Sequence, residues 1–147
     1  MINVRTKGAT FERDIVRQLN DYALEHELGF YANRNLDQYQ AKGQCDIEIP
    51  HHAIECKHYK EGNWYKESWW EQVCTSAKGR IPVLIYKYNR QPIRVCVPLW
   101  AICPSGALDT ARTAVLTFDA WLDTMVKNWN AYKEGLCHDR STSSRAA

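Results

Sequence analysis

Two short stretches of this chain, Cys45-Asp46-Ile47-Glu48-Ile49-Pro50 and Ala53-Ile54-Glu55-Cys56-Lys57, alternate apolar and charged residues with a turn between them. Such alternation predicts two adjacent strands, because successive side chains of a strand point to opposite faces. Ile47 and Ile49 share one face of the first, with Asp46 and Glu48 on the other; in the second, Ile54 and Cys56 oppose Glu55 and Lys57. The pair should therefore carry its isoleucines inward and a cluster of two or three carboxylates plus one lysine outward. An Asp and a Glu converging within a few ångströms suit a hard, oxygen-seeking cation such as magnesium. A lysine beside them can orient or help deprotonate the attacking water, or neutralise charge as it builds on a phosphate. Phosphodiester cleavage is the chemistry this arrangement would serve. Alternating charge is also what any half-exposed strand looks like, so the motif needs its context.

The context begins near the N-terminus. Residues 7–28 read as an amphipathic helix, with Phe11, Ile15, Leu19 and Tyr22 in one apolar row and Val16, Leu19 and Ala23 in the next. Glu12 continues that second row by a four-residue step to Val16, which predicts a carboxylate at the helix–sheet boundary. A first-turn acid favoured by the helix dipole is the other reading, and the sequence physics leaves both open.

The run Lys7-Gly8-x-x-x-Glu12-Arg13, then Gly43-x-x-Asp46-Ile47, then Ile54-Glu55-x-Lys57, resembles the archaeal-type and phage Holliday-junction resolvases. These belong to the PD-(D/E)xK nuclease superfamily, which shares the restriction-endonuclease-like fold. The likeness spans roughly residues 7–98 and follows the order helix–strand–strand–helix–strand. The fold it implies is α/β, a central mixed β-sheet flanked by helices. Residue by residue, it implies that Asp46 and Glu55 bind the metal with help from the Cys56 carbonyl. Lys57 would assist the water, and Glu12 would add a helix-borne acid and a possible further metal ligand. Gln72, in Trp70-Glu71-Gln72-Val73, matches a glutamine often found on the helix after the ExK strand. One departure is that Cys45, not proline, precedes Asp46. The activity implied is a magnesium-dependent endodeoxyribonuclease of DNA recombination and repair, with manganese as a substitute and branched, four-way DNA as substrate. An ordinary lysine stays charged at neutral pH, so charge stabilisation is the safer role for Lys57 than general base.

At 147 residues the chain matches one ordinary domain, long enough to bury roughly 70% of its unfolded surface. A formal charge of +2 is too mild for nucleic-acid binding by bulk charge, so any affinity must come from local basic patches. Lys7, Arg13, Arg34 and Lys42 are the candidates for phosphate contacts, with Tyr39 able to stack on an exposed base. Arg34, Tyr39 and Lys42 fall in residues 33–44, which lack periodicity and read equally as a solvated loop. The six cysteines show no CxxC pair and no Cys/His ligand spacing, so neither zinc nor a disulfide framework is indicated. No secretory signal or membrane-length apolar run is seen, and a reduced, cytoplasmic setting is expected. His51 and His52 read as turn residues.

A helix around 66–79 presents Trp69, Trp70, Val73, Cys74 and Ala77 on its apolar side, and strands follow at 81–87 and 93–98. The continuous run Val83-Leu84-Ile85 predicts a central strand covered on both faces. The resemblance stops at residue 99. The stretch 117–129 reads as a helix whose Phe118, Trp121, Leu122, Met125 and Trp129 pack on the core or on a second subunit. One nuclease domain over 1–140 is expected, with a C-terminal helical extension over 99–140 and a disordered tail at 141–147. Resolving a junction takes two opposed cuts, whereas one domain has one D…ExK site. A homodimer is therefore implied, with Trp121, Met125 and Trp129 or the strand edges as contact surface. The rivals are a repair or restriction nuclease acting on duplex or single strands, and a non-catalytic nucleic-acid-binding module. The intact set Glu12, Asp46, Glu55 and Lys57 argues against the second.

Overall fold

The computed structural model describes residues 4–36, 44–103 and 109–135. Tyr39, Lys42 and the tail at 141–147 lie outside the described residues. The chain runs α1 (Val4–Glu25), β1 (Asn33–Arg34), β2 (Ile47–Ile49), β3 (His52–Tyr59), α2 (Glu67–Ala77) and β4 (Ile81–Tyr88). It continues through β5 (Arg94–Pro98), α3 (Leu99–Ile102), β6 (Thr113–Thr117), α4 (Phe118–Lys127) and α5 (Trp129–Lys133). The strands form a single sheet in the order β1-β2-β3-β4-β5-β6. Neighbours are antiparallel except β3 and β4, which are parallel. Parallel neighbours require a crossover, and α2 supplies it. The architecture is the α/β one expected, a mixed sheet flanked by helices.

Both faces of the sheet are covered. On one, Phe11, Ile15 and Leu19 of α1 pack with Ile47, Ile54, Val83 and Ile85, and the helices α3, α4 and α5 extend the same core. On the other, Trp69, Trp70 and Val73 of α2 cover Leu84, Tyr86, Tyr88 and Cys96. Val83 and Ile85 therefore serve one core and Leu84 the other, as the uninterrupted apolar run of β4 requires. A fully buried side chain such as Leu19 or Ile85 contributes about 1.5–3 kcal/mol. The two helices that frame the site are thus fixed from opposite sides of the same strands. Among the described residues no helix is long and apolar enough to cross a membrane.

Several elements differ from the sequence expectation. Helix α1 ends at Glu25 rather than 28. The Glu27 N–H bonds the Leu24 carbonyl (3.4 Å) and the Leu28 N–H bonds the Ala23 carbonyl (2.9 Å). With Glu27 at φ 54°, this is a Schellman stop built on a non-glycine residue. The helix expected over 117–129 is two helices: Thr117 caps the first by accepting the Ala120 N–H at 3.2 Å, and Asn128 separates α4 from α5. Trp121, Met125 and Trp129 are 3%, 1% and 7% exposed, so they belong to the core and offer no contact surface to a second subunit. His52 is not a turn residue. It is buried at the start of β3, with its ring stacked on Trp129 (6.0 Å between centroids) and Nδ1 2.8 Å from the Pro50 carbonyl. Strands β1 and β6 were not foreseen, since neither carries a clear alternation. β1 exists only through its pairing of Asn33 with Glu48 and Arg34 with Ile47.

Candidate active site

The β2–β3 hairpin aligns the two carboxylates. Its register places Ile47 opposite Ile54 and Glu48 opposite Ala53, so continuing one step brings Asp46 across from Glu55. Directly opposed residues have Cβ atoms about 4.5–5.5 Å apart. At Asp46 the backbone leaves the regular ladder: its N–H donates to the Ile54 carbonyl at 2.9 Å. Its carboxylate Oδ2 then accepts the Cys56 N–H at 2.8 Å. The side chain thus occupies a backbone bonding position that β2 would have filled had it continued. The Asp46 carboxylate also hydrogen-bonds the Glu55 side chain, so the two acids are joined directly.

Glu55 was expected to face outward with Lys57. Instead α2 covers that face of β3, and Glu55 is 1% exposed. One of its oxygens, Oε1, is buried without a hydrogen-bond partner. Burial, first, and the neighbouring Asp46 carboxylate, second, push its pKa up to about 9; Lys57 opposes the shift and Glu12 adds to it. At neutral pH the carboxyl therefore holds a proton unless a cation supplies positive charge beside it. Cys56 packs in the core beneath, as the sequence suggested, and burial pushes its thiol well above the ordinary range.

Glu12 is buried at the helix–sheet boundary, where the inward row of α1 pointed. It is not a solvated first-turn acid: Arg34 of β1 donates from Nε to its Oε1 at 3.2 Å. Arg34, expected on a solvent-facing loop, has a side chain only 16% exposed and is committed to this pair. Its neighbour Asn35 donates its N–H to the Asp46 carbonyl at 2.7 Å. The sequence did not reveal this Glu12–Arg34 link, because the aperiodic stretch gave no sign that Asn33 and Arg34 form a strand.

Lys57 is half-buried on the same face of β3 as Glu55. Gln72 is exposed on α2, and with Gln44, Ser68, Glu71, Thr75 and Ser76 it lines a cleft of about 320 Å³ that reaches Glu55. The glutamine singled out from sequence and the buried carboxylate therefore share one opening. Of the proposed phosphate contacts, Arg13 is exposed, and Lys7 donates from Nζ to Asn89 Oδ1 at 3.1 Å.

Among the described residues, no three His, Cys, Asp or Glu side chains converge as a ready-made metal cluster. A cation here would draw on a carboxylate pair and backbone oxygen instead. The donor set is nonetheless apt. A buried carboxylate oxygen without a donor, next to a second carboxylate, is a cost that a divalent cation removes. All-oxygen donors suit magnesium or manganese.

A family model described as "Phage putative PDDEXK endonuclease" matches residues 3–135. No curated protein matches the chain. Among solved structures, the chain is similar to Hjc, a Holliday junction resolvase from the archaeal hyperthermophile Archaeoglobus fulgidus. The two share 19% sequence identity over 75% of this chain and 86% of that one, with a TM-score of 0.44.

Proposed function

The chain belongs to the phage PDDEXK endonuclease family, and from that premise we propose that it is a divalent-metal-dependent endodeoxyribonuclease whose working residues are Asp46, Glu55, Lys57, Glu12 and Gln72. The observation that carries this reading is Glu55, buried with an oxygen lacking any donor beside the Asp46 carboxylate. A buried carboxyl with an unsatisfied oxygen costs stability, a cost that a bound cation would offset. Asp46 and Glu55, with the Cys56 carbonyl, would hold magnesium, and manganese in its place. When bound, the ion supplies Lewis-acid stabilisation of phosphate charge and acidifies water for attack.

The protein's own groups divide the remaining work. Asp46 is oriented by its bond from Cys56 N–H, which fixes the direction of its carboxylate beside Glu55. Lys57, on the Glu55 face, sets a positive charge where negative charge grows on the transferring phosphate. Gln72 reaches the same cleft and can hold water or a phosphate oxygen by hydrogen bonding. Glu12 acts through Arg34 on the segment leading to Asp46, with direct metal ligation as its further possible role.

For the substrate, the order and spacing of the motifs support a four-way junction, cut by a homodimer with one site on each strand. The assay that tests the whole reading offers junction, flap, duplex and single-stranded DNA with and without Mg²⁺. Metal-dependent cleavage that favours the junction is expected. Full activity in EDTA would remove the proposed site, whereas equal cleavage of plain duplex would remove only the junction.

A further inference from the structure

The segment between β3 and α2 carries an aromatic side chain that neither core uses. The chain has six tryptophans. Trp69, Trp70, Trp100, Trp121 and Trp129 are each at most 7% exposed, but Trp64 is 53% exposed. Its ring lies on Tyr65, with centroids 5.3 Å apart and planes inclined by 30°, and more than half of the residue remains in solvent.

This tryptophan is not on a loose loop. Gly62 lies so close to the Tyr88 ring that a Cβ there would sit 2.4 Å from its carbons, so only glycine permits the approach. The Tyr88 hydroxyl donates to the Trp64 carbonyl at 2.5 Å, and Gln91 Nε2 donates to the Gly62 carbonyl at 2.6 Å. Tyr65 is tied in turn, its hydroxyl 3.2 Å from Thr113 Oγ1. Each anchor comes from β4, its turn or β6, so the sheet itself sets the position of Trp64. Exposing a large apolar ring costs free energy, and holding it rigid removes the alternative of folding it away. A ring presented in this way is preorganised for a flat partner.

The position indicates which partner. Glu55, Lys57 and Tyr59 follow one another on the same face of β3, and Tyr59 stacks on Trp69 of α2 at 5.1 Å. Tyr88, whose hydroxyl holds the Trp64 carbonyl, pairs with Tyr59, and at about 3.3 Å per residue Tyr59 lies roughly 13 Å along the strand from Glu55. That span equals about four stacked nucleotides at 3.4 Å each. Lys66 completes the surface, its ammonium 5.8 Å and 5.7 Å from the Tyr59 and Trp69 ring centres. An aromatic face beside a cation, a few nucleotides from a phosphate-cleaving centre, matches the chemistry of single-strand binding.

We propose that Trp64 is a stacking platform for an unpaired DNA base, and that it makes the enzyme select strands that leave the double helix near the point of cleavage. The proposal rests on the nuclease reading above and adds the substrate feature that the carboxylates do not encode. In a paired duplex every internal base is already stacked on both neighbours, so Trp64 gains a partner only on a flap, on a single strand, or at a branch point where a base loses its stacking neighbour.

The test is equilibrium binding of the full chain to a 12-nucleotide oligo(dT) and to a blunt duplex, in EDTA, so that no cleavage intervenes. Wild type is compared with Trp64→Ala and Trp64→Phe, with circular dichroism checking each fold. Oligo(dT) should quench tryptophan emission in the wild type. Trp64→Ala should weaken single-strand binding roughly 5- to 140-fold, as expected from one base–aromatic stack. Trp64→Phe should keep most of the affinity, and duplex affinity should stay within about twofold for all three. Unchanged oligo(dT) affinity in Trp64→Ala, or equal losses on both ligands, overturns the proposal. Cleavage with Mn²⁺ is scored separately: a protein that shows the Trp64 effect yet never cuts DNA loses the nuclease reading and keeps the base platform.

Discussion

Arg34 Nε donates to Glu12 Oε1 at 3.2 Å, and this pair joins helix α1 to an edge strand only two residues long. The next residue, Asn35, holds the Asp46 carbonyl at 2.7 Å. Glu12 is thus connected to the candidate metal ligand through one ion pair and one backbone bond. A carboxylate on the first helix and an aspartate on the hairpin form one mechanical unit.

Glu12→Gln keeps an oxygen that accepts from Arg34 and removes the charge. We expect cleavage to fall at least about tenfold while melting shifts by only a few degrees. Arg34→Ala should cost about 1.5–3 kcal/mol, the size of a hydrogen bond to a charged group, and lower activity as well. Thermal melts paired with rates per folded molecule check both. Early melting with normal cleavage in Glu12→Gln would make Glu12 a structural residue only.

Metal-free stability should depend on pH through Glu55. Its folded pKa, about 9, lies above the ordinary 4.5, so the folded state holds a proton that the unfolded chain releases. The contribution is complete below about pH 4.5 and is lost progressively as pH rises towards about 9. Melting in EDTA across that window should show the decline, and Glu55→Gln should flatten it. Adding Mg²⁺ or Mn²⁺ should raise the melting temperature, most strongly at the alkaline end. A pH profile identical in wild type and Glu55→Gln would refute the buried-carboxyl argument.

Asp46→Asn and Glu55→Gln should each abolish cleavage with the fold retained. Lys57→Ala should lose at least about a hundredfold in rate, typical of one electrostatic or acid–base group, while DNA binding is largely kept. Single-turnover rates on one labelled substrate measure all three. An Asp46→Asn variant with full activity would move the chemistry elsewhere.

Junction binding should show its two-fold character in solution. Sedimentation is expected to give a dimer, and titration a four-way junction bound far more tightly than duplex of the same sequence. Junction affinity should fall steeply with salt, because phosphate contacts on two subunits release many counterions. A monomer at micromolar concentration that cuts plain duplex or single strands as fast would end the resolvase assignment and spare the nuclease one.

Asp46, Glu55 and Lys57 were legible in the sequence because period-two alternation is local and needs no partner to be read. Their burial was not. The apolar side of α2 shows that Trp69, Trp70 and Val73 are covered, but not that they cover the face of β3 that carries Glu55. The same ambiguity attends Trp121 and Met125, since an apolar helix face states that something lies against it without saying whether that is the core or another chain. β1 was invisible because two polar residues make a strand only when a neighbouring strand bonds them. Arg34 therefore read as a loop cation, and its pairing with Glu12 could be found only in three dimensions.

The parallel pairing of β3 with β4 also bears on when the enzyme becomes active. The hairpin bearing Asp46 and Glu55 is local and can form early. Glu55 is enclosed only after α2 has crossed over and β4 has docked alongside β3, a closure that must first overcome loop entropy. Glu12 joins from the opposite end of the chain order. If the proposed site is the working one, a growing or partly unfolded polypeptide would have the acids and the lysine but no assembled centre, and cleavage would begin only with the finished tertiary structure.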